Sequence, residues 1–105
     1  MNQEISVPCD ICADFAMICE GDGMINARIY DGDIVYIQQQ DIANGDIAAV
    51  LLNGEAILRR VWIFEDHISL EPANPLYRTT VLWDDEISNA HILGKAVAFT
   101  ATIQS

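Results

Sequence analysis

Apolar residues along the chain gather in short runs, and turn-forming residues separate them. Residues 15–19 run into Glu20-Gly21-Asp22-Gly23, and the apolar MINARIY that follows ends at Asp31-Gly32-Asp33. Residues 34–38 read as the next strand, Asn44-Gly45 as a turn, and residues 47–52 as a strand apolar enough to be buried. Asn53-Gly54 then sits between two apolar runs, which predicts a hairpin with a type I′ turn, because both residues tolerate positive φ. Its second arm, residues 55–65, alternates imperfectly, so part of it is expected to be covered on both faces. Shorter strands are predicted at 67–70 and 79–82, with "EPANPLY" as a proline-bounded loop between them, and a long apolar strand closes the chain at 92–103. No stretch keeps a helical period; helical turns are expected only around 24–27 and 85–90. The pattern predicts a mainly β fold, a compact coiled barrel or sandwich of short strands.

Length and composition narrow this picture. At 105 residues the chain is expected to form one domain, residues 1–105, with a modest core. Sixteen acidic against five basic residues give a net charge of −11, which phosphate backbones would repel, so this domain alone is a poor nucleic-acid binder. The apolar runs are strand length, too short to span a membrane, and the start MNQEISV lacks the basic end and apolar core of a signal peptide. The expected location is the cytoplasm, without membrane association.

Most candidate chemistry fails on spacing. Cys9 and Cys12 form a C-x-x-C with Cys19 beyond it, but a second pair is missing and His67 and His91 are distant in sequence with no ligand spacing. Three cysteines are an odd number and fit reduced thiols better than a disulfide framework. Asp31 and Asp33 suggest a calcium loop, yet Val35 stands where the next ligand belongs and Tyr36 where glycine is needed; a start at Asp22 puts Met24 in a ligand place. No metal or cofactor is expected. Neither histidine stands near a serine or cysteine in a nucleophile arrangement, and no phosphate-cradling loop is present.

Arg59-Arg60 is more informative, since it lies inside the apolar strand "ILRRVWIF". Neighbouring strand residues face opposite ways, so one arginine can face solvent while the other faces inward or along a cleft. One reading is a salt bridge with some of the many carboxylates; the other is a cation placed for chemistry.

"GDGMINARIYDGDIVYIQQ", "NGDIAAVLLNGEAILRRV", "LEPANPLY" and "ILGKAVAF" follow in order and together resemble the C-terminal domain of LexA-type and phage repressors. That family includes the UmuD-like proteins and shares its core fold with signal peptidases. The resemblance runs over residues 13–99. In the family the first turn reads Gly-Asp-Ser-Met and carries a serine nucleophile, and the strand after the hairpin carries a lysine base. On this chain those positions are Gly23 and Arg59, with Asp22, Met24 and Arg60 as cleft-lining candidates. Glycine supplies no nucleophile, and arginine stays protonated where the base must become neutral. Cys19 precedes the turn on the strand, so its thiol should point elsewhere. Lys95, the single lysine, matches a non-catalytic family position.

The resemblance therefore implies a dimerising regulatory domain without its Ser-Lys dyad, inactive in autoproteolysis. By the same resemblance it implies a homodimer, DNA contact through a helix-turn-helix domain outside this chain, and a RecA-type activator. The last strand is the expected place of self-pairing, as an uncovered edge. Two alternatives stay open: a serine peptidase domain inactivated by engineering at Gly23 and Arg59, and a peptide-binding module that does not cut.

Overall fold

The computed structural model describes residues 13–100. The strands are β1 (Phe15–Ile18), β2 (Ile34–Gln38), β3 (Ile47–Leu52), β4 (Glu55–Ile63), β5 (His67–Glu71), β6 (Thr80–Trp83) and β7 (Ala90–Thr100). Two single 3-10 turns, Ile25–Ala27 and Ile87–Asn89, stand where short helical turns are expected. The strands form one antiparallel sheet in the order β1-β2-β7-β3-β4-β5-β6. The compact β fold is thus a single continuous sheet.

β3 shows why one sheet suffices. Ala48 and Val50 pack with Val61, Leu70 and Leu82, whereas Ala49 between them packs with Val35, Ile37, Met24 and Leu58. Successive strand residues point to opposite faces, so β3 feeds two cores and must be apolar at every position. This accounts for the unbroken run read from the sequence. The β3–β4 hairpin pairs Leu52 with Glu55, and its turn has φ of 51° at Asn53 and 86° at Gly54. Both central residues lie at positive φ, as a type I′ turn requires.

The last strand departs from expectation, because it is not an edge strand. β7 lies between β2 and β3, and it shares its length between them. Its pairing with β3 runs from Ala90 to Lys95, and its pairing with β2 from Lys95 to Thr100. Among the described residues, therefore, each half of β7 has a ladder partner on one side only. The crossing point requires Gly94: a Cβ there would lie 2.6 Å from the Gln38 carbonyl oxygen and 2.7 Å from Ile37 Cγ2. Such distances are below any tolerable contact, so the strands can come this close only over a residue without a side chain. β1 and β6 are the outer strands of the order. Among the described residues, no helix is long and apolar enough to cross a membrane.

Candidate functional site

The turn between β1 and the first 3-10 segment is held by contacts with segments remote in sequence. Gly21, at φ 82°, donates its N–H to Asp31 Oδ1 at 2.7 Å. The Asp22 carbonyl accepts from Asn74 Nδ2 at 2.8 Å, and Asp22 Oδ1 accepts from the Tyr77 hydroxyl. Asn26 donates its N–H to the Ala73 carbonyl at 2.7 Å. The proline-bounded loop thus clamps the turn. Asn74 is only 3% exposed, yet its amide is used at both ends, since its Oδ1 also accepts from the Leu76 N–H at 2.9 Å. A buried amide satisfied in this way specifies one loop conformation.

β4 faces this turn across a cleft of about 240 Å³. Met17, Met24, Ile57 and Leu58 give the cleft apolar wall, and Glu20, Asp22 and Glu55 give it carboxylates. Arg59 enters it, so that a Cβ built on Gly23 would lie 3.0 Å from Arg59 Nη1 and 3.4 Å from its Cζ. Gly23 and Arg59 are therefore direct neighbours in space although far apart in sequence. Arg59 Nη1 donates to the Leu58 carbonyl at 2.6 Å. Burial pulls the guanidinium below its ordinary pKa, and the charges that oppose this are those of Tyr77 and Cys19. An arginine still remains a cation at neutral pH.

Arg60 goes the other way. Its Nη1 donates to the Gly45 carbonyl at 2.6 Å, and it does not line the cleft. Alternation along β4 separates the two arginines, one into the cleft and one to a neighbouring turn. Among the described residues neither arginine forms an ion pair with a carboxylate, since the charged contacts are Lys95 with Asp46 at 3.6 Å and His67 with Asp66 at 2.7 Å.

Of the five residues singled out from the sequence, the structure brings Asp22, Gly23, Met24 and Arg59 together and leaves Arg60 outside. Cys19 is also part of the cleft wall, contrary to the expectation that it points elsewhere. β1 ends at Ile18, so strand alternation no longer governs Cys19, whose backbone is tied to the other turn by bonds with Asp33 and Gly32. Its thiol pKa is raised, first by burial and then by Asp33 and Asp31, so it stays a thiol at neutral pH. Sequence reasoning missed Asn74 and Tyr77; the signal was their place in "EPANPLY". His67 stacks on Phe64 at 4.4 Å and lies 4.5 Å from Trp83, away from His91. Cys9 and Cys12 lie outside the described residues. Among those described, no cluster of three or more metal-ligating side chains forms.

With this geometry in hand, known proteins give a consistent answer. The sequence profile of the Peptidase S24-like family matches residues 2–97. The chain belongs to the Peptidase S24-like family. The S24-like chain is 41% identical over 85 residues to a LexA repressor of Magnetococcus marinus, covering 80% of this chain and 36% of that protein. A LexA repressor of Caldicellulosiruptor saccharolyticus is 35% identical over 101 residues, 92% of this chain and 48% of that protein. One from Oleidesulfovibrio alaskensis is 44% identical over 85 residues, 79% of this chain and 40% of that protein. The S24-like chain thus spans less than half the length of these curated relatives.

Proposed function

We propose that this chain is the C-terminal regulatory domain of a LexA-like transcription regulator in which the self-cleaving site no longer cuts. The observation that carries the reading is the approach of Gly23 and Arg59. The two residues stand at the family's nucleophile and base positions and face each other at 3.0 Å, measured from the place of a Cβ to Nη1. Acyl transfer needs an oxygen or sulfur to attack the carbonyl, and Gly23 offers neither. It also needs a base that can accept a proton, and a guanidinium cannot do so at any pH a protein survives. The buried, protonated thiol of Cys19 does not replace either group.

The remaining role is association. The half of β7 from Lys95 to Thr100 pairs with β2 and leaves its other side open among the described residues. Val97 and Phe99 are exposed there, beside an apolar hollow that Ile29, Val35 and Ile47 help to line. An antiparallel copy of the same segment would complete the ladder and cover this surface, giving a homodimer that places two DNA-binding domains on one site. DNA contact would fall to a separate helix-turn-helix domain, as expected of an acidic domain, and any signal would come through a RecA-type activator. One domain over residues 1–105 fits this role.

The test is direct. Protein expressed from its own gene and held at alkaline pH for days should remain one species by mass spectrometry. A defined fragment would overturn the reading. Gly23→Ser combined with Arg59→Lys should yield that fragment, whereas Gly23→Ser alone should not. For association, light scattering should give twice the chain mass at micromolar concentration, and Phe99→Glu should return it to the monomer mass.

A further inference from the structure

The cleft holds a cation that forms no ion pair among the described residues. Among the described residues Arg59 has no carboxylate within ion-pair distance, in a chain with sixteen carboxylates. Three of them, Glu20, Asp22 and Glu55, line the same cleft. Asp22 is engaged by the Tyr77 hydroxyl instead. The bond to the Leu58 carbonyl uses one of the five N–H donors of the guanidinium. Gly23 lets the guanidinium sit close against the turn, since a Cβ there would lie 3.0 Å from Nη1, and the fork borders the cleft that Arg59 helps to line.

We propose that this cleft is a binding site for a monocarboxylate with an apolar body, such as the free C-terminal end of a peptide. The proposal deepens the reading above, since a cleft that cannot cut is free to hold. The planar fork of an arginine matches the two oxygens of a carboxylate, and the partly desolvated setting strengthens the pair. Met17, Met24, Ile57 and Leu58 offer apolar contact to whatever the carboxylate ends. The flanking carboxylates oppose every anion, and a phosphate dianion about twice as strongly as the monoanion that the Arg59 fork must hold against them. Nucleotides and phosphopeptides are accordingly disfavoured.

The experiment is a titration of the ¹⁵N-labelled 105-residue chain, at constant ionic strength, with N-acetyl-leucyl-alanine, with its C-terminal amide, and with sodium acetate. The free acid should shift the Arg59 Nε–Hε signal and the amides of Gly21, Gly23 and Leu58 to saturation, and the peptide amide should not. Arg59→Gln should weaken binding of the acid by at least about tenfold. Arg59→Lys should fall between, with the charge kept and the fork lost. Acetate acting as well as the peptide acid assigns the site to the carboxylate alone; acetate acting far more weakly assigns it to a peptide end, and both support the proposal. Equal shifts from acid and amide, or none from either, overturn it, and that comparison stands on the unaltered chain should Arg59→Gln fail to fold. Cleavage is read separately: an uncut protein without acid-dependent shifts refutes this site and leaves the inactive reading, whereas a cut protein refutes that reading first.

Discussion

Gly23 and Gly94 are the two glycines of the described chain that combine ordinary backbone angles with a close neighbour, and the neighbours differ in kind. At Gly94 the space is occupied by the Gln38 carbonyl and the Ile37 side chain, parts of the fold that cannot move without moving β2. At Gly23 it borders the end of one flexible side chain, the Arg59 guanidinium. The first glycine is therefore required by packing, and the second by nothing in the scaffold. A small residue in this protein is demanded by backbone packing in one place and borders only a flexible side chain in the other, and only the identity of the neighbour tells them apart.

The sharpest way to break this contrast is Gly94→Ala. The added methyl forces β7 away from β2, and overpacking of this kind should cost about 3 kcal/mol, read as a lower urea midpoint with unchanged slope. Retention of full stability would mean that the two strands part easily, and the contrast would lose its rigid side. Next comes Asn74→Ala, which deletes both amide bonds of the clamp beneath the cleft. It should cost about 2 kcal/mol and speed hydrogen exchange at Leu76, because it leaves the Asp22 carbonyl and the Leu76 N–H without their partner.

Gly23→Ala should change stability by no more than about 0.5 kcal/mol, since the guanidinium can shift by the few tenths of an ångström needed and alanine reduces the freedom of the unfolded chain. A loss like that at Gly94 would show that Arg59 is fixed. The smallest signal is the pH dependence of the cleft. Cys19 has its pKa raised chiefly by burial, and Tyr77 chiefly by its bond to Asp22, so the folded state favours the protonated form of each. Their contribution is complete below the ordinary pKa values and is lost as pH rises through the raised ones. Stability measured from about pH 8 to about pH 11 should fall, and the fall should be shallower in Tyr77→Phe.

Against that comparison the reach of the sequence becomes clear. β2 and β3 occupy the residues expected of them, 34–38 and 47–52, because turns with glycine at fixed places bracket each run. The arm expected at 55–65 stops at Ile63, where Asn44 caps the strand by accepting the Ile63 N–H at 2.7 Å, a contact between residues remote in sequence. The strand expected at 92–103 begins earlier, at Ala90, because Leu52 pairs with it there. Its central position was not legible, since an apolar β-branched run suits an edge awaiting a partner as well as a strand already flanked.

The cleft was legible in part. Gly23 and Arg59 were marked by family resemblance, and the structure makes them neighbours. Alternation could say that Arg59 and Arg60 part company, but not which of them enters the cleft. Asn74 and Tyr77 were invisible as individual residues, because a loop side chain acquires its meaning only from the turn it reaches.

Among the described residues, the bonds that tie the first turn to the proline-bounded loop and to Asp31 pass through Gly21, Asp22 and Asn26, and none of them through residue 23. Selection on the shape of the turn is therefore blind to what stands at its tip. A side chain placed at residue 23 alone would keep the turn's bonds, and a nucleophile there would still face a guanidinium that takes up no proton.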